Sequence, residues 1–424
     1  MKCKPIRLSR RLTASLLSSM LVFLLFSQAV SAAAASGAKY VGARLPNYQK
    51  LIVLRNNDPN INAKLGIGKS HDLKKPDQID YYINAAIACA RKYASDTRQV
   101  VIVIAPGTYY PKTGNFSIPS NTYLYAKGAT ISYRNKNRGC IFTNDKIYRQ
   151  GEAGNAPVTK SSRNIRIVGG TWDISMYGPT QSYATTSVIR YSNMQNLVIQ
   201  DVTIKVNRKH HIMEFADIDG LTILGCMISR NDNNSDVQPK EAIQLDVAED
   251  SAFKNCKQTG KGCHKVIIEN CKFLNCSRGV GSHNSVGGII QNPSYTNVTI
   301  KNNIFKNLKA EAVFFMHGNG ITIYGNKVYG CQRAGVYLEA DKNVLVRNNG
   351  FDRVTSMTGS RGGTYGTFRA AVAYADVSGL SSTANRLTNT SGGSLLYRYG
   401  GGGGDSGSGS SGGIVPPPVP SSLK

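Results

Sequence analysis

Two short segments near the middle of the chain combine carboxylates with a histidine and an arginine. They are EAIQLDVAED at residues 241–250 and RGVGSHNS at residues 278–285. Hydrolysis of a glycosidic bond requires a proton donor and a carboxylate that acts as nucleophile or as base for water. We expect Asp246 to be the main catalytic carboxylate, with Glu241 or Glu249 as its partner. His283 would tune protonation or bind the sugar. The alternative is a solvated strand face with incidental charges.

These residues lie in strand-like segments, in which successive side chains point to opposite faces. The segments are SVIRY, HIMEF, AIQLD, GVGSH, AVFFM and GVYLE. The side chains expected to point inward are Val188, Ile212, Ile243, Val280, Val313 and Val336. The outward column three residues further on is Tyr191, Phe215, Asp246, His283, Met316 and Glu339. In this register Arg190 and Glu214 point inward, which a buried ion pair or a register error of one residue would explain.

A sugar polymer also needs apolar ring faces for stacking. The candidate substrate contacts are Gln244, Arg278, Phe314, His317, Tyr337 and Glu339. With about 4.8 Å between neighbouring rungs, Asp246 and His283 would be adjacent. Glu339 lies three rungs from Asp246, about 14 Å, beyond the roughly 5 to 9.5 Å between two catalytic carboxyl groups. We therefore expect Glu339 to contact the substrate at a subsite. His210, His211 and His317 border the same face, where each could instead be structural.

A repeated template indicates the fold that carries these segments. It consists of a polar or glycine residue, three strand residues, a short turn and a second short strand. Copies begin at Asn164, Asn196, Gly220, Lys265, Asn297, Gly320 and Asn343, and the shortest interval is 23 residues. This period is typical of a solenoid rung. The template aligns Cys226, Cys271, Asn303, Asn326 and Asn349 in one column at a bend. Stacked Asn side chains can hydrogen-bond along such a column and tolerate left-handed backbone.

We therefore predict an all-β fold, a single-stranded right-handed parallel β-helix (solenoid) with an N-terminal capping helix. Apolar residues at helical spacing place that helix within residues 76–94, where it would protect the first rung from edge pairing. The predicted organisation is a signal peptide at 1–36, an N-terminal cap and first strand at 37–105, the β-helix domain at 106–397 and a flexible tail at 398–424. The tail is rich in Gly, Ser and Pro and cannot bury a core.

The start of the chain indicates secretion. Basic residues precede an apolar run at residues 12–30, and small residues follow at 31–36, as in a signal peptide. We expect an extracellular protein that could associate with the cell wall, with no stable membrane insertion after cleavage. The formal net charge of +26 favours polyanionic partners such as uronic-acid polysaccharides or teichoic acids, with solubility as the simpler explanation. The basic residues are scattered and form no recognised nucleic-acid module, so no nucleic-acid partner is expected.

The cysteine spacing matches no zinc or redox motif. The chain has nine cysteines, of which Cys3 belongs to the leader. We interpret most of the others as buried small hydrophobic residues. Cys256 and Cys263 are the best candidates for a disulfide that closes a loop, since export makes disulfides accessible.

Several motifs resemble those of the pectin-lyase-like superfamily of right-handed parallel β-helix proteins. They are IAPGTY, SNTYLYAKGATI, GGTWD and NVTIKNNIF. The superfamily includes polygalacturonases, pectate lyases, C5-epimerases and phage depolymerases, and the resemblance spans about residues 40–397. The layout is most similar to polygalacturonases, with an acidic cluster on one rung and a Gly/His segment on the next. Their Asn-Thr-Asp, Asp-Asp, Gly-His-Gly and Arg-Ile-Lys motifs are absent as written.

Three classes of function follow from these observations. The first is a secreted glycoside hydrolase that cleaves an extracellular polysaccharide and needs no cofactor. The second is a polysaccharide lyase or uronate epimerase, which needs a Lys, Arg, His or Tyr base and a uronic acid. A lyase could hold Ca²⁺ through Asp246, Glu249 and Asp250, although their spacing is not that of an EF-hand. The third is a non-catalytic cell-wall or glycan-binding adhesin, whose binding would survive loss of Asp246 and His283. The sequence leaves the oligomeric state open.

Overall fold

A computed structural model describes most of the chain between residues 48 and 398. The described residues are 48–55, 58–68, 70–112, 114, 116–133, 141–144, 162–175, 187–207, 211–230, 240–249, 256–282, 294–355 and 369–398. The predicted signal peptide, nearly all of the predicted tail, His210, Asp250 and His283 lie outside these residues.

The chain winds into a right-handed parallel β-helix whose wall consists of three ribbons of parallel strands. Ribbon A contains β4 (Phe116–Ile118), β7 (Phe142–Asn144), the first halves of β10 (Ile189–Gln200) and β12 (Met213–Leu224), β14 (Glu241–Asp246), β17 (Arg278–Ser282), β20 (Val313–Met316), β23 (Val336–Glu339), β26 (Ala370–Ala375) and β29 (Ser394–Arg398). Ribbon B contains β1 (Lys50–Leu54), β2 (Val100–Ile104), β5 (Thr122–Tyr125), β8 (Ser162–Val168), the second halves of β10 and β12, β15 (His264–Glu269), β18 (Tyr295–Lys301), β21 (Gly318–Tyr324), β24 (Lys342–Arg347) and β27 (Ser378–Thr383). The predicted solenoid is confirmed.

Ribbon C is a separate sheet of ten strands. It contains β3 (Gly107–Tyr109), β6 (Ala129–Ser132), β9 (Thr171–Ile174), β11 (Thr203–Val206), β13 (Met227–Arg230), β16 (Lys272–Leu274), β19 (Ile304–Leu308), β22 (Lys327–Cys331), β25 (Gly350–Val354) and β28 (Arg386–Thr388). Ribbons A and B form one sheet of 19 strands because β10 and β12 run from one ribbon into the other. In each complete rung the chain passes through ribbons A, B and C in that order.

Left-handed residues turn the chain between ribbons. The first residue of every template copy from Asn164 to Asn343 has a positive φ, between 53° and 87°. Gly and Asn tolerate this conformation best, which explains their recurrence there. At the next bend the left-handed residue is the one before the ladder position, for example Asn302 before Asn303. The ladder residues themselves therefore serve hydrogen bonding and not the backbone turn.

The predicted Cys/Asn column forms a hydrogen-bonded ladder across neighbouring rungs. The backbone N–H of Cys271 donates to Oδ1 of Asn303 at 2.8 Å. The N–H groups of Asn303 and Asn326 donate in the same way to Asn326 and Asn349, both at 2.9 Å. Asn385 extends the ladder by one rung, because its Oδ1 accepts from the N–H of Asn349 at 3.0 Å. Each shared amide satisfies buried backbone groups at a bend where strand pairing is interrupted.

Inward side chains of the three ribbons fill the solenoid with one continuous apolar core. The rings of Phe273 and Phe305 stack between neighbouring rungs of ribbon C, with centroids 4.6 Å apart and planes 6° apart. Trp172, the only tryptophan, is fully buried and meets Phe142 edge to face at 4.5 Å. Such aromatic pairs contribute about 0.5 to 1.5 kcal/mol each beyond the area they bury.

An amphipathic helix closes the N-terminal end, as predicted. A 3-10 turn (Pro76–Gln78) leads into α2 (Ile79–Tyr93), which buries one face, including Ile79, Tyr82 and Ile83. A short helix not foreseen from the sequence, α1 (Ile61–Leu65), precedes it, and the Tyr82 hydroxyl donates to Oδ1 of Asn62 at 2.6 Å. The sheet itself already begins with β1, ahead of both helices. Within the described residues, no helix combines the length and apolarity needed to cross a bilayer.

Most cysteines are buried small side chains, as predicted, but the predicted Cys256–Cys263 disulfide is wrong. Both residues are free thiols and both are buried. Burial raises the pKa of the Cys256 thiol to about 11. A thiol in this state is a poor nucleophile for disulfide exchange. No covalent bond joins the two free thiols across the loop between them.

Candidate functional site

Strand register places the candidate residues in columns on the outer face of ribbon A. Ile189 pairs with Met213, Met213 with Ile243, Ile243 with Val280, and this inward column continues through Val313 and Val336. The next residues form an outward column that contains Arg190, Glu214, Gln244, Gly281, Phe314 and Tyr337. Two residues further on, Asp246 shares its outward column with Ala216 and Ser192.

The predicted register is wrong by one residue on the first two of these strands. Tyr191 and Phe215 pair with each other and with Leu245, point into the core and are fully buried. Arg190 and Glu214 instead point outward and form an ion pair, with Nε 3.2 Å from Oε2. The Ser187 hydroxyl also donates to Oε2 of Glu214 at 2.6 Å. Both explanations offered for Arg190 and Glu214 hold, because the predicted register is off by one residue and the two side chains form an ion pair in which they are 9% and 5% exposed.

Asp246 is held in a fixed orientation at the end of β14. It is 4% exposed, and the Gln244 amide, 2% exposed, donates to its Oδ2 at 2.6 Å. The backbone N–H of Val247 donates to its Oδ1 at 2.8 Å. Glu249, three residues further along, is half-buried just beyond the strand. The structure thus brings Asp246 and the predicted contact Gln244 together.

Glu241 belongs to a buried network of charges. Its Oε1 lies 2.5 Å from Nη1 of Arg278, and its Oε2 lies 2.8 Å from Nδ1 of His211. Arg278 also binds Oε2 of Glu311 at 2.8 Å, and Arg333 lies 3.6 Å from the other oxygen of Glu311. A carboxylate between two cationic or hydrogen-bonding partners is held as an anion. This network therefore favours a structural role for Glu241 and makes it a poor proton donor.

The charges in this network shift the ionisation of its members. Burial alone would raise the pKa of Glu311, but the guanidinium groups of Arg278 and Arg333 outweigh it and hold the pKa below its ordinary value. Burial would lower the pKa of Arg278, yet Glu311 and Glu241 together raise it. Burial lowers the pKa of His211 despite the nearby Glu241. The network is therefore made of charges that neutralise one another.

Aromatic side chains extend this face toward the C-terminal rungs. The rings of Phe314 and Tyr337 stack with centroids 5.1 Å and planes 10° apart. The Arg278 guanidinium lies over the Phe314 ring at 3.9 Å, a cation–π contact. The half-buried Met316 and Tyr397 pack against the same cluster. We call Phe314, Tyr337, Met316 and Tyr397 the aromatic strip.

Glu339 lies at the edge of the aromatic strip, where the Tyr337 hydroxyl donates to its Oε2 at 3.0 Å. It is half-buried, and burial raises its pKa, partly offset by the hydrogen bond from Tyr337. His317 occupies a left-handed bend after β20, and burial lowers its pKa. Glu339 pairs across rungs with Met316. Four of the predicted substrate contacts, Phe314, His317, Tyr337 and Glu339, therefore lie on two neighbouring rungs.

Glu311 is the main residue that the sequence analysis missed. It stands three residues before Phe314, the offset that also separates Glu241 from Gln244 and Arg278 from Gly281. The same offset separates His211 from Glu214. A search for charges at this position of each ribbon A strand would have found the network. Within the described residues, no group of three His, Cys, Asp or Glu side chains is arranged to hold a metal ion.

The comparisons with known proteins agree with this architecture. Residues 248–405 match a family model described as a right handed beta helix region, and the chain is a right-handed parallel β-helix protein of the pectin-lyase-like fold. Among curated proteins, none matches the sequence significantly. Two structures of the Streptococcus pneumoniae surface adhesin PfbA are similar in fold. One has 17% identity and a TM-score of 0.55 over 75% of this chain and 95% of that chain. The other has 16% identity and a TM-score of 0.50 over 76% and 89%.

A weaker similarity links the chain to a Family 28 exopolygalacturonase from Yersinia enterocolitica. The identity is 12% and the TM-score 0.40, over 84% of this chain and 79% of that chain. The likeness to the two PfbA structures, at 16 to 17% identity, shows the fold alone, and one scaffold supports many activities.

Proposed function

We propose that this protein binds an extracellular polysaccharide along the outer face of ribbon A and cleaves it as a glycoside hydrolase. The observation that carries the proposal is the aromatic strip beside Glu339, continuous along ribbon A with the rungs of Gln244 and Asp246. Phe314 and Tyr337 lie on the outer side of ribbon A and keep 9% and 6% of their surface exposed, with the half-buried Met316 and Tyr397 beside them. Sugar rings would stack on the ring surface that remains exposed. Carboxylates next to such rings supply the chemistry of glycosidic cleavage.

Asp246 and His283 are the proposed reacting pair. Gln244 and the Val247 N–H fix the Asp246 carboxylate in one orientation, as a nucleophile or a base for water requires. Because Glu241 is engaged by Arg278 and His211, Glu249 is the better partner of the two. Glu241 would instead position Arg278 beneath Phe314.

Phe314, Tyr337, His317 and Glu339 would contact the sugar chain at subsites toward the C-terminal rungs. Glu339 sits about 14 Å from Asp246 along the axis, three rungs away, so it would hydrogen-bond a sugar several positions from the cleaved bond. Its raised pKa keeps a larger neutral fraction near acidic pH, and a neutral carboxyl group can donate as well as accept a hydrogen bond.

A non-catalytic adhesin is the second candidate. The burial of both carboxylates favours it, because Asp246 is 4% exposed and Glu241 is fully buried. Cleavage at Asp246 would require the Gln244 amide to release its Oδ2. Two structural neighbours are described as a surface protein and adhesin.

The test is to incubate the full chain with a panel of neutral and acidic polysaccharides and measure three readouts on each. New reducing ends without unsaturated products support a hydrolase. Ultraviolet absorbance from unsaturated uronates would mean a lyase. Cosedimentation with a polysaccharide but no product from it would mean an adhesin. Tyr337→Ala should weaken binding about tenfold through lost stacking, whereas Tyr324→Ala, an exposed tyrosine on ribbon B, should not change it.

A further inference from the structure

We propose that the outer face of ribbon C is a second binding surface, which captures an acidic polysaccharide through Lys272, Lys306 and Lys327. These three lysines, the basic face, come from three consecutive rungs on strands β16, β19 and β22. Each is exposed, while its strand neighbours Phe273, Phe305 and Val328 point into the core.

The register sets the spacing of these charges. Lys272 pairs with Ile304, which pairs with Lys327, so these two lysines lie two rungs apart, about 10 Å. Lys306 lies between them, diagonal to each at about 7 to 8 Å. All three are within about one Debye length at physiological salt. They therefore create one positive potential along the solenoid axis, which a linear polyanion would neutralise.

These lysines are not paired with acids. None of the three lysines forms an ion pair within the part of the chain that the structure describes. Asp352, which pairs with Tyr329 on the next rung of the same face, is engaged by Nε of Arg353 at 3.0 Å and by the Asn389 amide. Other surface lysines differ in this respect, since Lys265 and Lys301 each pair with a carboxylate.

Apolar groups alternate with the charges, which favours a carbohydrate as the occupant. Tyr329 is 37% exposed and pairs with Lys306 across rungs, while Ile304 separates Lys272 from Lys327. A flat strand face that offers a tyrosine ring between lysines can stack on a sugar ring and bind its carboxylate or sulfate at once. An extended glycan along the axis would meet one rung after another.

This surface is separate from the site proposed on ribbon A, because ribbons A and C form different faces of the solenoid. Binding of a polysaccharide to ribbon C would hold the protein on that polysaccharide while ribbon A acts on a sugar chain. The inference does not depend on catalysis at Asp246.

The experiment measures binding of the full chain to fluorescently labelled polygalacturonate at several salt concentrations. We expect the triple variant K272S/K306S/K327S to bind at least tenfold more weakly at low salt. The slope of log affinity against log salt concentration should be shallower by about 2 to 3, because fewer contacts form and fewer counterions are released on binding. The control K74S/K75S/K92S removes the same charge from exposed residues at the N-terminal cap and should weaken binding less than threefold.

Two further variants separate the contributions. Tyr329→Ala should weaken binding severalfold without changing the salt dependence, because it removes stacking and no charge. Tyr324→Ala, which removes an exposed tyrosine of ribbon B outside both proposed surfaces, should bind polygalacturonate as the parent does. Equal losses in the two lysine triples would show that only net charge matters and would overturn the proposal. Tighter binding of single-stranded DNA through the same lysines, or equal binding of neutral dextran, would overturn it as well.

Discussion

Replacing Arg278 by methionine should strongly destabilise the solenoid. The guanidinium contacts Glu241 at 2.5 Å and Glu311 at 2.8 Å, and the three side chains are between 0% and 7% exposed. Methionine keeps the apolar stem but leaves two carboxylates buried without their main cation. Breaking a buried pair in this way costs about 3 to 5 kcal/mol. His211 still contacts Glu241 and Arg333 still contacts Glu311, so we expect the loss to stay within that range.

The measurement is urea unfolding followed by circular dichroism and by the fluorescence of Trp172, the only tryptophan, which is fully buried. The triple variant R278M/E241Q/E311Q removes the stranded charges and should recover most of the loss, to within about 1 to 2 kcal/mol of the parent. A control, Lys265→Met, breaks an exposed pair with Asp219 and should cost less than about 1 kcal/mol.

The same reasoning predicts a change in pH dependence. In the parent, Glu311 has a lowered pKa, so its contribution is present above its ordinary pKa and is lost on acidification. Without Arg278 burial dominates, and Glu311 would bind a proton more readily in the fold than when unfolded. The R278M variant should therefore lose less stability than the parent as the pH falls from 7 toward 5. If R278M unfolds at the parent's urea concentration at pH 7, the network does not stabilise the fold as described.

Two other predictions concern the interior of the solenoid. Asn326→Ala should cost about 2 to 4 kcal/mol of unfolding free energy. Its amide accepts from Asn303 and donates to the carbonyl of Ile300 at 2.8 Å and to Asn349 at 3.0 Å. Thermal unfolding measures this loss, and a value below about 0.5 kcal/mol would contradict a stabilising ladder. Asp341 is fully buried, and burial raises its pKa from 3.8 to about 7. The folded state therefore binds its proton more tightly than the unfolded state, so this residue lowers stability progressively between about pH 4 and pH 7, by up to about 4 kcal/mol. Asp341→Asn should flatten that decline, which unfolding curves at pH 5 and pH 8 measure. If the unfolding free energy of the variant changes between these two pH values as much as that of the parent, Asp341 is not the group responsible.

The repeat made most of the fold predictable. A left-handed bend can be occupied at low cost by only a few residue types, so Asn and Gly mark it in the sequence. The Cys271–Asn303–Asn326 column followed from alignment of the copies, because in-register stacking requires equal spacing. The capping helix followed from its apolar periodicity.

The register of β10 and β12 in ribbon A was not predictable in the same way. Val188 and Ile189 are both apolar, as are Ile212 and Met213, and all four are buried. Alternation cannot decide which of two adjacent apolar residues begins the inward column. Only pairing with Ile243 settles it, and that contact depends on the fold as a whole.

The candidate site was predictable as a face but not as a set of contacts. Sequence spacing brought Asp246 and Gln244 onto that face, and their hydrogen bond fits this. It could not show that Glu241 is engaged by Arg278, because the length of the loop between their strands leaves the side-chain geometry open. Whether Cys256 and Cys263 form a disulfide was also not decidable from the sequence, since spacing says nothing about how the two sulfur atoms are oriented.

The proposed function requires Asp246 to take part in cleaving a polysaccharide that is bound on the outer face of ribbon A. The most direct measurement is the rate of reducing-end release by Asp246→Asn on a polysaccharide that the parent protein cleaves, with Asp219→Asn on ribbon B as the matched control. We expect Asp246→Asn to lose about a hundredfold or more in kcat with little change in melting temperature. His283→Ala should behave in the same way, and the control should keep the parent's rate. Near-full turnover by both Asp246→Asn and His283→Ala would contradict it.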